Sequence, residues 1–495
     1  MPMNDGVLMV SRRGINASLL VWFSLLLGGC MTAGPDYKRP VVGTPTNWST
    51  KVDGVIPNGP LGTAALSQWW CVFGDAVLAD LAASAQRNNL DVKQAEARLR
   101  KARAQWKLAG AEQWPTISLN ASGGRSRSSD KMGAGSSSTM STYANSLDAS
   151  WELDLFGAKR RADESAGASM GASQEDLRDV QVSLLAEVAL NYVQYRSCQA
   201  RLAILATNLA AQTETYDITC WRYQANLVTQ LDVDQARVSL EQTRAQIPVL
   251  RSSLAQAEHQ LAALLGESPG ALASRLDAGS PSVPVAASDL AVGVPVDVLR
   301  QRPDVRAAER RLAAQTAQIG VAAAARFPDL TLSGSIGLEA LALGNLYTAG
   351  ARTAQGLLNA GLNAFDGGRI RQNIAVQTAL QEEALAAYEA AVLTALKDVE
   401  DALVAYSNEQ ARQRALQAAV TAGASAFKLA RAKYESGLVD FQTVLGTQQT
   451  LLTVQDTLAS SQADMTSDLI RLYKALGGGW TPATVEADAR KTTNK

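Results

Sequence analysis

The sequence predicts a mixed fold: long coiled α-helical hairpins joined to small groups of membrane-type β-strands, with the whole unit present twice. Three observations carry it. Apolar residues recur every seven positions on both sides of two turns, at Tyr223–Thr229 and Tyr434–Asp440, a spacing that wraps helices left-handedly around one another. Ahead of each long helical run the hydrophobic period switches from that of a helix to strict alternation. The second half also reproduces the first at a nearly constant offset, 213 between Asp91 and Asp304 and 211 between Tyr223 and Tyr434, which marks a duplicated unit.

In chain order, Arg12 and Arg13 precede a short apolar run, Ile15 to Leu27, that ends in Leu27-Gly28-Gly29-Cys30. The run is shorter than the ~20 residues a spanning helix needs and reads as a signal peptide, residues 1–29. Its end resembles a bacterial lipobox, which implies cleavage before Cys30 and lipidation of its thiol. Met31, rather than Asp, follows the cysteine and favours the outer membrane. Residues 30–68, rich in Pro, Gly and Thr, read as an extended lipid-anchored tether.

Trp69-Trp70 opens the first repeat, residues 69–265, with helical patterns over 76–88 and 90–111. Trp114-Pro115 stops the second of these. Strands follow at about 116–127 and 142–153, separated by a Gly/Ser-rich loop. Ile117, Leu119, Leu147 and Trp151 fall on one face, and Ser118, Asn120, Asp148 and Glu152 on the other. That alternation, over a length matching the ~9–11 residues of a tilted membrane strand, fits a barrel wall with water inside and lipid outside. A soluble hairpin with one solvated face gives the same pattern. From Gly157 a helix runs to the first tip, near 223–233, through Val188, Tyr195, Leu202, Leu209 and Tyr216. A second returns through Val233, Leu240, Ile247, Leu254 and Leu261, with Pro248 expected to bend it. Each outgoing arm is ~100 Å of helix.

Residues 266–294 form a Pro/Gly/Ser-rich linker, and the second repeat spans 295–480. Its strands are expected at about 329–339 and 352–365, its long hairpin turning near 434–444, before a flexible tail, 481–495. Four strands cannot close a barrel, for which about eight is the practical minimum. An open edge in lipid leaves backbone groups unpaired at several kcal/mol each, so further copies of the chain are required.

Several function classes are disfavoured. Lys+Arg (46) and Asp+Glu (47) nearly cancel, so no basic surplus points to nucleic acid. Cys198 and Cys220 stand ~33 Å apart on one helix, too far for a disulfide. The single histidine, His259, has no cysteine or histidine cluster around it. No nucleophile–base pair or phosphate loop is legible, so neither an enzyme nor a cofactor is expected beyond the lipid on Cys30.

Taken together, the lipobox, Gly34-Pro35-Asp36-Tyr37, Trp69-Trp70 with Phe73-Gly74-Asp75, Trp151-Glu152-Leu153-Asp154-Leu155-Phe156-Gly157, Arg302-Pro303-Asp304-Val305, Phe327-Pro328 and Leu472 to Trp480 resemble the OprM/TolC family of outer-membrane channel lipoproteins in its NodT-type group. The resemblance implies a homotrimer with a 12-stranded outer-membrane barrel continued by a periplasmic helical tube, and an equatorial belt of short segments. It further implies tips that dock on a periplasmic adaptor coupled to an inner-membrane RND transporter, for export of drugs and other small toxic compounds. An exit duct for protein secretion and a structural coiled-coil lipoprotein are the alternatives.

The family's closed entrance maps onto Asp232, Gln442, Thr443, Leu445 and Gly446. Many relatives carry Asp where Gly446 stands, so the usual carboxylate ring is missing. Asp232, Asp234 and Asp440 either replace it or serve as helix-start residues. Adaptor contacts map onto Asn226, Leu227, Val228, Gly437, Leu438, Val439 and Asp440, the four apolar residues being either contacts or staples between helices. Asn226 stands where relatives usually have Gly and suits a left-handed turn. Trp151 is expected in the interfacial aromatic belt.

Overall fold

The structure, a computed structural model, describes residues 32–50, 55–57, 66–127, 139–278, 280–286, 290–292 and 295–480. Cys30 with the leader before it, the loop 128–138 and the tail after 480 lie outside the described residues. The described residues divide into two compact units: those within 32–40, 100–172 and 308–388, and those within 41–99, 173–307 and 389–480.

The first unit holds the sheet. Strands β2 (Thr116–Arg127), β3 (Thr139–Leu153), β5 (Asp329–Ala340) and β6 (Arg352–Gly361) pair antiparallel in the order β2-β3-β5-β6. Strand β3 starts three residues earlier than its alternation suggests. Strand β6 stops at Gly361, short of the expected 365, because Asp366 accepts from the Gly368 and Ile370 amides and turns the chain into the long helix that starts at Arg369. At Gly337 a Cβ would sit 2.9 Å from Ser146 Cα across the ladder, so only glycine fits. The rings of Phe156 and Phe327 stack 4.6 Å apart at the strand bases.

One departure concerns the tether. Residues 32–40 have no regular secondary structure, as their composition predicts, yet they are fixed to this unit. Ala33 N donates to Phe156 O (3.0 Å), Arg161 donates to Asp36 (2.5 Å), and Tyr37 donates to Glu309 (3.3 Å).

The second unit contains the short belt elements and most of the long helices. Helices α1 (Ala76–Asn88) and α2 (Leu90–Ala111) begin the first repeat; α3 (Ala158–Gln224) and α4 (Gln230–Leu265) form its hairpin. A short helix α5 (Ala273–Asp277) and a parallel pair, β1 (Val55–Pro57) with β4 (Leu290–Val292), join the halves. The sequence reading did not include that pair, since three-residue strands carry no period. Helices α6 (Pro295–Gln301), α7 (Pro303–Ala324), α8 (Arg369–Glu435) and α9 (Phe441–Ala475) complete the second repeat. Pro248 sits inside α4 without ending it.

The duplication extends to single hydrogen bonds. Asn89 Nδ2 donates to Leu264 O (2.9 Å), and its counterpart Arg302 donates to Ala475 O (3.1 Å). Each returning helix closes on a left-handed glycine, Gly266 (φ 69°) and Gly477 (φ 74°). The belt core is a tight aromatic group, with Trp69 stacked on Tyr473 at 5.4 Å and edge-on to Trp70 and Phe73. Heptad positions Val188, Tyr195, Leu240, Leu261, Val392, Val399, Val444 and Leu472 are buried. Leu202, Leu209, Val420 and Phe427 are only half-buried.

Candidate functional site

Two features have functional geometry: the two-faced sheet and the hairpin tips. Cross-strand register puts Ser118, Asp148, Ser335 and Gln355 in one row, with Thr116, Ser150 and Ser333 beside it. Asp148 accepts from Asn120 (2.6 Å) and Ser146 (2.9 Å), so the carboxylate lies in a bed of donors. The opposite face carries Leu119, Leu147 and Ile336 in one row and Trp151, Leu332 and Leu358 in another. Leu119 and Ile336 are 80% and 60% exposed. Each such side chain forfeits ~1.5–3 kcal/mol in water, which an apolar solvent returns.

Aromatic residues mark both ends of that apolar face. Trp151 donates from its indole nitrogen to Gln113 O (2.9 Å) and is joined at that end by exposed Trp114 and Phe365. Tyr143 lies eight residues up β3 on the same face, ~26 Å along the strand. That is close to the ~25 Å apolar band of outer-membrane barrels, or ~20 Å of height at a tilt of ~40°. Trp114 was legible in the sequence only as a helix stop, and its exposure sets it beside Trp151 among the aromatic residues at that end of the sheet. Strands β2 and β6 stand at the sheet edges without partners among the described residues.

The tips are two copies of one turn. Leu227 N donates to Arg222 O (2.8 Å) and Leu438 N to Lys433 O (2.9 Å), the pattern that closes a helix on a left-handed residue. Those residues are Asn226 (φ 57°) and Gly437 (φ 71°). Thr229 and Asp232 then form a capping box for α4, while Asp440 accepts from the Thr443 amide (2.9 Å) and hydroxyl (2.5 Å) to cap α9. The Thr443 bonds hold the Asp440 carboxyl below its usual range. Asp232 and Asp440 are thus helix-start residues in this chain, and Thr443 has its hydroxyl committed to a cap. Asp234 accepts from Gln230 (3.2 Å).

The four apolar tip residues divide. Leu227 (73% exposed) and Leu438 (74%) point to solvent, whereas Val228 and Val439 are half-buried between helices. Among the entrance candidates, Gln442 and Gly446 are exposed, and a Cβ on Gly446 would meet nothing within 4 Å. Leu445 departs from the expectation. It is buried against Ala236 and Phe441, with Tyr216 and Tyr434 packed around them, so it serves as a packing residue in the chain. This small cluster joins the two hairpins just behind their tips, and Arg222 lies 4.7 Å over the Tyr434 ring. Trp221 and Leu231, each 65% exposed, extend the apolar surface of the first tip. Their second-repeat counterparts, Ala432 and Gln442, are not large apolar residues, so the repeat gave no signal for them.

A third polar feature lies in the second unit. A cavity of about 440 Å³ is lined by Asp179, Arg302, Asp304, Asp398, Asp401 and Asp468, among others. First-repeat counterparts of Asp401 and Asp468 are Leu190 and Ala257, so its polarity is not demanded by the fold.

Residues 81–267 and 294–478 match the outer membrane efflux protein family. The chain belongs to that family. This efflux protein is 33% identical to outer membrane protein OprJ of Pseudomonas aeruginosa over 94% of the chain and 96% of that protein. It is 32% identical to the toluene efflux pump outer membrane protein TtgI of Pseudomonas putida, over 94% and 98%. Among solved structures, the outer-membrane channel OprN superposes with a TM-score of 0.84 at 34% identity, over 91% of this chain and all of that one. The open-state MtrE channel of Neisseria gonorrhoeae gives 0.81 at 28%, over 91% and 99%. The four strands of an efflux protein of this kind are a segment of an outer-membrane barrel, and its long helices belong to a coiled tube.

Proposed function

We propose that three copies of the chain close one barrel and one helical tube, which together serve as the passive exit duct of a tripartite efflux pump. The observation behind this is the sheet: four strands with one polar face, one apolar face and both edges open. Closure between copies satisfies the edge groups and leaves the Asp148 row lining an aqueous lumen. The exposed leucines at the tips, Leu227 and Leu438, are offered to a periplasmic adaptor, which couples the duct to an inner-membrane RND transporter. Apolar side chains at a turn that water should surround are natural partner contacts. Exported compounds are drugs and other small toxic molecules, selected upstream in the transporter. The chain needs no cofactor; acyl chains on Cys30 hold it at the outer membrane.

With Gly446 at the entrance and Asp232 and Asp440 committed to caps, Gln442 is the exposed polar residue left at the narrow end. The entrance is therefore weakly charged. Planar-bilayer recording tests the proposal: purified protein should give stable single-channel currents, and a chain that inserts without conducting would end it.

A further inference from the structure

We infer that the segment Thr32–Arg39 is a strap that transmits the lipid anchor to the barrel, with Arg161 as its positioning residue. The inference rests on the proposed acylation of Cys30. Two peptide units separate Cys30 from Thr32, a reach of about 7 Å. Wherever Thr32 is held, the acyl chains must enter the membrane close by.

Thr32 is held at the junction of strand and helix. A Cβ on Gly157 would lie 2.8 Å from Thr32 Cγ2, so the glycine that follows β3 leaves space for the strap. Ala33 N donates to Phe156 O (3.0 Å), beside the Phe156–Phe327 stack at the strand bases. Gly34 (φ 85°) lies against Gly320 of α7, backbone to backbone, and a Cβ on Gly320 would come 2.8 Å from Ala33 O. Arg161, only 5% exposed, spends its whole guanidinium here. It donates to Thr32 Oγ1 (3.4 Å), Ala33 O (3.3 Å), Asp36 (2.5 Å) and Glu164 (2.7 Å). Tyr37 donates to Glu309 (3.3 Å), and Arg39 pairs with the same carboxylate (3.1 Å). The strap thus bridges the start of α3 in the first repeat and α7 in the second.

A flexible tether would need none of this. Buried charge and facing glycines fix the chain within two residues of the acylated position, at the level where the apolar sheet face ends in Trp114, Trp151 and Phe365. Lipid on a taut strap sets the depth at which the strands meet the bilayer and favours their insertion. Lipid on a slack one would only keep the protein near the surface.

The test is a cycle read as the fraction of heat-modifiable, membrane-embedded protein in outer-membrane preparations. Two perturbations are used: Arg161→Ala, and a ten-residue Gly/Ser insertion after Met31 that leaves every strap contact in place. Each is combined with Cys30→Ser. Asp36→Ala, at a side chain 79% exposed, is a milder substitute should Arg161→Ala fail to fold. In the acylated protein both perturbations should lower the embedded fraction, Arg161→Ala cutting the ratio of embedded to unembedded protein by roughly tenfold, the weight of one charged hydrogen bond. In the Cys30→Ser protein neither should lower it further. Equal losses in both backgrounds, or an insertion without effect, would overturn the coupling and leave the strap as ordinary packing. The mass of the mature N-terminal peptide separates the two layers: absence of acyl groups there removes the lipidation reading itself, and the coupling with it.

Discussion

Arg302 offers the sharpest test of how the second unit is held together. Its guanidinium, 10% exposed, donates to Asp304 (2.7 and 3.0 Å), to Asp398 (3.0 Å) and to the Ala475 carbonyl (3.1 Å). Arg302→Met keeps the aliphatic stem of the side chain and removes every side-chain donor. Breaking a fully buried pair from one side costs ~3–5 kcal/mol, because the partner charge stays behind. Here the cavity beside it admits water, and Asp304 and Asp398 are 31% and 38% exposed. The cost is accordingly discounted to ~2–3 kcal/mol. The matching change in the first repeat, Asn89→Ala, removes a neutral cap and one donor to Leu264 O and should cost ~1–2 kcal/mol. Restoring balance with Arg302→Met/Asp398→Asn should recover part of the loss. The assay is guanidinium unfolding of the detergent-solubilised protein, followed by helical circular dichroism. An unchanged midpoint for Arg302→Met, or a double variant as weak as the sum of its singles, would refute the assignment.

Three other outcomes are expected. Gly446→Asp has free space around its Cβ and should raise cation over anion permeability in reversal-potential measurements, with stability unchanged or slightly higher because a mid-helix glycine is lost. Leu227→Ser with Leu438→Ser should abolish capture of a periplasmic adaptor that the unaltered protein binds in pull-downs, while single-channel conductance stays the same. Burial, then the Glu309 carboxylate, pushes the Tyr37 phenol from 10.0 up to about 12. The folded state holds that proton more tightly than the unfolded one, so the contribution is complete below pH 10 and disappears as pH rises towards 12. Alkaline titration followed by phenolate absorbance should show this late step, and Tyr37→Phe should reduce its amplitude, the remainder belonging to Tyr473, whose phenol burial also raises to about 12.

What the sequence made legible follows a physical division. Patterns set by local period survived: both repeats, α1 and α2 to the residue, β2 at its stated ends, and the two faces of the sheet. The tip turns were legible because Asn226 and Gly437 announce a left-handed residue. Features set by contacts between distant segments were not. Thr32–Arg39 reads as tether because its composition forbids regular structure, and nothing local reveals that Gly34 meets Gly320 or that Arg161, within the run Lys159-Arg160-Arg161, is buried while its neighbours are more exposed. Leu445 falls beside the heptad residue Val444, and only the second hairpin's approach to Ala236 shows that it is packed inside. Trp221 lies off the heptad stripe and had no repeat partner to flag it.

The duct reading is tested most directly by the native mass of the particle extracted in mild detergent. Three chains per particle are predicted, dissociating only with loss of the strand signal. A folded single chain that keeps its β-structure in detergent would contradict it, because β2 and β6 would then be stable with open edges.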